Sequence, residues 1–280
     1  MHDSEVIRRK VAADYAKAVR SPGAGCCATP VPKGVVAKLA GYADEEVAAL
    51  PAEAVVNSFG CGNPLAFSSV QPGQVVLDLG SGAGIDLLLA AKKVGATGKV
   101  IGVDMTDEMI AKARENAAVA GLTNVEVRKG IIEQLPVDSG SVDWVISNCV
   151  INLSPDKHRV FAEIARVLRP GAAMLVSDIV AEDLPKQIAE SRHLYSSCLA
   201  GAISEQSYVD GLRQAGLSEV EIIDRLVYDS AQLEALIGSE LREKDGCCCS
   251  GAIDPKLRRQ WAAELAGKVA SVKVRARKPG

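Results

Sequence analysis

Residues 74–86 read QVVLDLGSGAGID, and this stretch decides the fold class. Val75 to Leu79 form an apolar, β-branched run that stops at Gly80, as a buried strand does. Gly80, Gly82 and Gly84 follow in alternate positions, and from Ile85 the spacing turns helical until Gly95. The next strand is KVIGVD, residues 99–104, and the pattern then repeats. TDEMIAKARENAAVAG is a helix with Thr106 as cap, acids in its first turn and Gly121 after its end. VEVRKG and VDWVISNCV read as strands. PDKHRVFAEIARVLRPG reads as a helix opened by Pro155 and stopped by Pro170-Gly171, and AAMLVSDIV as another strand. Alternation of this kind predicts an α/β fold, a mostly parallel sheet covered by helices on both faces.

Outside this core the patterns loosen. Upstream, SEVIRRKVAADYAKAVR fits one amphipathic helix broken by SPGAG, and CCATPVP is an extended loop. DEEVAALPAEAV suggests a short helix capped by Asp44 and interrupted at Pro51. Downstream of about residue 182, LPKQIAESRHLYSSCLAGA and SEQSYVDGLRQAG look helical. VEIIDRLVYDS and ASVKVRARKP make two late strands, with the loop DGCCCSG between them. Three regions result: a helical, cysteine-bearing segment over 1–70, the core over 71–230, and an extension with a cysteine-rich loop and final strand over 231–280.

Composition narrows the function classes. The chain is 48% hydrophobic and 24% charged with a net charge of −3, so nothing points to nucleic acid. No apolar run reaches the length of a membrane span, and the charged first residues lack the apolar stretch of a secretory signal. A cytoplasmic monomer is the default expectation. In a reducing compartment the eight cysteines are then thiols rather than a disulfide framework. Five of the eight lie in direct runs, Cys26-Cys27 and Cys247-Cys248-Cys249, a pattern that core packing does not need. Without a CxxC, a tetrahedral zinc site is disfavoured.

The glycine turn carries chemistry. A glycine run between strand and helix lets backbone N–H groups approach a ligand closely. Here an acid, Asp78, precedes the glycines, where it would repel a pyrophosphate but suits a ligand bearing an ammonium group. A second acid, Asp104, ends the next strand about 20 residues on from the glycines, in reach of ribose hydroxyls. Acid, glycines and acid fit S-adenosylmethionine better than a nicotinamide dinucleotide. The candidate contacts are Asp78, Gly80, Ser81, Gly82, Gly84, Asp104 and its neighbour Met105. Ile132 and Glu133, just past a strand end, offer an aliphatic wall and a carboxylate for an adenine ring.

Cys149, Cys61 and Cys198 admit more than one role. Buried cysteine often behaves as a small hydrophobe, and Cys149 taken alone fits that description. Cys61 sits between two glycines in a loop where burial does not explain it. Cys198 fits the inner face of a helix. No histidine stands beside these residues in a nucleophilic motif, which leaves soft-ligand binding as the chemistry they share.

Taken together, FGCGNP, LDLGSGAGID, GVDMTDEM, SNCVINLSPDK, RVLRPG, VSDIV and CLAGA resemble the bacterial arsenite S-adenosylmethionine methyltransferases over about residues 26–228. The resemblance implies a class I, Rossmann-like doubly wound sheet of seven strands. It implies methyl transfer from S-adenosylmethionine to arsenite and methylarsenite as an arsenic detoxification, with Cys61, Cys149 and Cys198 as ligands of trivalent arsenic. It also implies a further redox cysteine, Cys26 or Cys27, which would form a disulfide with Cys61 that thioredoxin or glutathione reduces. Phe59 takes the place of an aromatic residue that encloses the cofactor, here without a hydroxyl, and Asn148 forms part of the floor beneath it. Two other functions compete: methylation of a small organic metabolite, which leaves the three cysteines without a task, and thiol sequestration of a metalloid, which leaves the cofactor loop idle.

Overall fold

In the computed structural model Val75–Leu79 forms strand β1, and six more strands join it. The described residues are 2–20, 42, 45, 48, 50–56, 60, 62–189, 198–240 and 254–280, and all numbering of elements refers to them. The other strands are β2 (Lys99–Asp104), β3 (Val125–Lys129), β4 (Val142–Asn148), β5 (Leu168–Ala181), β6 (Ser218–Val227) and β7 (Val269–Arg277). Helices are α1 (His2–Arg20), α2 (Ala52–Val56), α3 (Ile85–Val94), α4 (Asp107–Val119), α5 (Lys157–Val167), α6 (Lys186–Ala189), α7 (Glu205–Gln214), α8 (Ser230–Glu240) and α9 (Pro255–Leu265).

The sheet order is β3-β2-β1-β4-β5-β7-β6. Strands β1 to β5 pair in parallel, and β7 runs antiparallel between β5 and β6. The order therefore reverses between β1 and β4, which opens a crevice at the carboxyl ends of these strands. Side chains alternate across the sheet as the pleat requires. Val76 packs on one face with Leu88 and Ala91 of α3, while Leu77 and Leu79 pack on the other with Phe161 and Ile164 of α5. A third cluster closes the carboxyl-end edge and joins Cys149, Ile179, Cys198, Leu199, Leu233 of α8 and Trp261 of α9. None of the described helices is long and apolar enough to cross a membrane.

Several local expectations need correction. The helix expected to open at Pro155 is capped instead by Asp156, whose side chain accepts from the Arg159 backbone N–H. It ends at Val167, before Pro170-Gly171, because Leu168 already turns extended to pair with Val142. Thr106 does hold the cap position of α4, but its side chain makes no cap hydrogen bond. Its backbone N–H donates to Asp104 Oδ1 at 2.8 Å instead. Cys198 lies in a turn rather than on a helix, and only Lys186–Ala189 of the expected segment is helical among the described residues. Asp44, expected as a cap, lies outside them.

Candidate functional site

The crevice at the β1–β4 reversal is a cavity of about 960 Å³, its open mouth included. Its walls include Asp78, Gly80, Ser81, Gly82, Gly84, Asp104, Met105, Ile132, Glu133, Asn148 and Cys149, residues assembled from four separate stretches of chain. Phe59 lies outside the described residues. The glycine turn is tight for two reasons. Gly80 has a φ of 63°, a left-handed backbone that disfavours a side chain. A Cβ there would also sit 2.5 Å from a Val150 methyl group.

The polar end of the cavity is acidic. Asp78 is 2% exposed and its Oδ2 has no hydrogen-bond partner. Burial, then the charges of Asp86 and Asp104, push its carboxyl well above the usual carboxylate range. Ser81 Oγ is a second buried oxygen without a partner. An orphaned carboxylate oxygen among three acids is a fit for an ammonium group, and so for the amino-acid end of S-adenosylmethionine. Asp104 Oδ1 accepts from the Thr106 N–H and Oδ2 from the Gly82 N–H at 3.0 Å, and the Thr106 hydroxyl and Met105 N–H add to these. Burial raises its carboxyl while these N–H donors oppose the shift. Asp104 closes β2 on the pocket wall, the position from which a carboxylate reaches ribose hydroxyls.

Glu133 is buried, and its Oε1 accepts from Ser154 Oγ at 2.7 Å and pairs with Arg8 Nε at 3.1 Å. The expected loop carboxylate is thus held by partners from α1 and from the turn after β4.

Asn148 does more than floor the pocket. Its Oδ1 accepts from the Gly62 N–H at 3.1 Å and its Nδ2 donates to the Gly62 carbonyl at 2.5 Å. The same Nδ2 reaches Tyr42 Oη at 2.9 Å and Asp86 Oδ2 at 3.1 Å, and Tyr42 Oη donates to Asp86 Oδ1 at 2.7 Å. Burial and the Asp86 charge push the Tyr42 hydroxyl well above its ordinary value. The glycines flanking Cys61 have a packing reason. A Cβ at Gly60 would collide with the Asn148 amide, and one at Gly62 with Ser177 Oγ.

Cys149 and Cys198 come together. Both are buried, and Cys198 Sγ lies 2.6 Å from the Cys149 carbonyl oxygen. Both carry left-handed backbone, with φ of 56° and 62°, which strains a residue with a Cβ. The strain at Cys149 is held from both sides. Its N–H donates to the Ser177 carbonyl at 2.8 Å, and the turn after it is tied to β5 by Asn152 Nδ2, which donates to Asp178 Oδ1 at 2.9 Å. Burial pushes the Asp178 carboxyl up to about 7, and it also accepts from the Ile179 N–H and Tyr208 Oη. Cys149 is disulfide-bonded, though not to Cys198, which corrects the expectation that all eight cysteines are thiols. Cys26, Cys27, Cys61 and Cys247–Cys249 lie outside the described residues.

Sequence reasoning missed Asp86, Tyr42 and Arg8. The signal for Asp86 was available, as an acid in the first turn of the helix that follows the glycines. Tyr42 and Arg8 meet the site only through tertiary contacts 44 and 125 residues long.

Comparison with known proteins agrees with this geometry. A methyltransferase-domain family matches residues 71–223. An arsenite methyltransferase of Halobacterium salinarum is 47% identical over 199 residues, 71% of this chain and 50% of that protein. One of Aquipseudomonas alcaligenes is 39% identical over 189 residues, 64% of this chain and 54% of that protein. The chain thus spans about half the length of these two relatives. Among solved structures, the arsenic(III) S-adenosylmethionine methyltransferase of Chlamydomonas reinhardtii superposes with a TM-score of 0.60 at 32% identity, over 87% of this chain and 72% of that one. The shared domain, the sheet order and these identities show that the chain belongs to the methyltransferase-domain family, among the arsenite methyltransferases.

Proposed function

We propose that the protein transfers methyl groups from S-adenosylmethionine to trivalent arsenic, with Cys61, Cys149 and Cys198 as the arsenic ligands. The observation that carries this reading is the Cys149–Cys198 pair at the edge of the acidic pocket. Two buried cysteines that each accept left-handed strain of roughly 1–3 kcal/mol are held there by more than packing. Thiolates suit a soft centre, and nothing in the methylation of a carbon or oxygen requires them. Arsenous acid would exchange three hydroxyls for three thiols, releasing three waters. Trivalent arsenic then forms a pyramid with its lone pair on the open side.

When bound, S-adenosylmethionine supplies an electrophilic methyl group on a sulfonium sulfur. Asp78, with Asp86 beside it, would hold the ammonium, Asp104 the ribose, and Ile132 with Glu133 the adenine. The thiolates orient the arsenic, and positioning of this kind lowers a barrier by up to about 7–11 kcal/mol. No proton leaves the acceptor, so no general base is needed.

Arsenic that has gained a methyl group is formally pentavalent and must regain two electrons. Cys26 or Cys27 together with Cys61 would supply them and end as a disulfide, which thioredoxin or glutathione reduces. Arsenic binding at Cys149 would require its disulfide to be reduced first, because an oxidised Cys149 offers no thiolate.

The test is incubation of the reduced protein with arsenite, a thiol reductant and methyl-labelled S-adenosylmethionine. Labelled methylarsenicals are expected, and no more than about one turnover without the reductant. Tight arsenite binding without product would favour sequestration. Absence of both binding and product would point to an organic acceptor.

A further inference from the structure

The amino-terminal helix reaches the pocket although no expectation placed it there. Ile7, Val11 and Tyr15 recur at four-residue intervals and so share one face of α1, and that face packs with Met105. Val11 is 1% exposed. Arg8, Val11 and Tyr15 all line the pocket, as do Met105, Ile132 and Glu133, and Arg8 meets Glu133 directly. The helix shares its buried cluster with Ile179 of β5 and Val269 of β7. It rests against α4 and is joined to the pocket wall by the Arg8–Glu133 ion pair. Glu133 is 4% exposed at its side chain while Arg8 is 26% exposed, so the anion is buried and the cation closes over it from outside.

We propose that α1 is the outer wall of the adenine subsite and that Arg8 is a positioning residue acting through Glu133. The proposal rests on the reading of the pocket as the S-adenosylmethionine site. Arg8 Nε and Ser154 Oγ both donate to Oε1, and two donors on one oxygen fix the rotamer of the carboxylate. Glu133 so fixed is an acceptor set for an exocyclic amine on the base. With Arg8 removed, the buried carboxylate keeps the Ser154 hydroxyl as a donor and the more distant Lys157 charge, and α1 loses the Arg8–Glu133 tie to the pocket wall. Binding of the nucleoside and docking of α1 are then linked: each stabilises the other, and the helix must loosen for the product to leave.

The experiment measures binding of S-adenosylhomocysteine by calorimetry to the wild-type protein, R8Q and R8K, with hydrogen exchange in the presence and absence of that ligand. Wild-type protein should bind, and its amides in residues 2–20 should gain protection together with those of the glycine turn. R8Q should weaken binding about tenfold, lose the ligand-induced protection of residues 2–20 and raise KM for S-adenosylmethionine but not for arsenite. R8K should recover part of the affinity, since an ammonium supplies one charged donor. The melting temperature of ligand-free R8Q reports whether it folds, and R8K keeps the test alive if it does not. Unchanged affinity in R8Q would overturn the proposal. So would exchange in residues 2–20 that ignores the ligand while the glycine turn is protected. If the wild-type protein binds no S-adenosylhomocysteine, the pocket reading itself falls and this proposal with it.

Discussion

Cys149→Ser should lower arsenite methylation by at least about a hundredfold while S-adenosylhomocysteine affinity stays within about twofold. Serine replaces a soft sulfur with a hard oxygen, and arsenic held by two thiolates is oriented less firmly than arsenic held by three. The substitution is a clean probe for a structural reason. Serine also carries a Cβ and meets the same left-handed backbone at φ 56°, so the strain is unchanged. The residue is buried, but the lost sulfur is small, and the Cys149 N–H still donates to the Ser177 carbonyl. A structural cysteine would show only a modest fall in stability and near-normal turnover. Rates are compared under saturating S-adenosylmethionine and a thiol reductant, which removes the disulfide at Cys149 as a variable. Methylation within a few-fold of wild type would remove Cys149 from the arsenic site.

Asp78→Asn should weaken S-adenosylhomocysteine binding by about a hundredfold, the scale for losing one partner of a buried charge pair. The pH dependence identifies the cause. In the free protein burial, Asp86 and Asp104 raise the Asp78 carboxyl well above its ordinary range. A ligand ammonium beside it favours the ionised form, so its carboxyl titrates lower in the complex than in the free protein. Between those two values, binding the ligand releases a proton. Affinity therefore rises with pH through that window and levels off once Asp78 is ionised in the free protein. In Asp78→Asn the rise should be flattened, because the titrating group is gone. Calorimetry across a pH series checks this, and an unchanged slope in the variant would assign the ammonium to another partner, with Asp86 the nearest candidate.

The parts of this molecule that were legible in the sequence are those set by local periodicity. Val75–Leu79, Lys99–Asp104 and Val142–Asn148 are apolar runs bounded by turns, and the helices between them carry helical spacing with glycines or caps at their ends. The glycine turn and its two acids were readable for the same reason: they sit at fixed offsets from one strand and the next. Cys198 was misplaced because the stretch before it has helical spacing, whereas the backbone at the cysteine takes a left-handed φ of 62° and places Sγ on the Cys149 carbonyl. No local pattern announces such a conformation, since tertiary contacts impose it. Asn148 illustrates a second limit. Its position at a strand end was visible, but not that one amide would grip Gly62 through both its backbone N–H and its carbonyl. The role of α1 was hidden most deeply, because an amphipathic stripe shows that a helix packs and not against what.

Arsenite-dependent protection of individual cysteines from alkylation tests the account most directly. The fully reduced protein is treated with a thiol-alkylating reagent with and without arsenite, and each cysteine is quantified by mass spectrometry. The account predicts that arsenite protects Cys61, Cys149 and Cys198 together and that Cys198→Ser abolishes the protection of the other two. Alkylation of Cys149 and Cys198 at rates that ignore arsenite would contradict it.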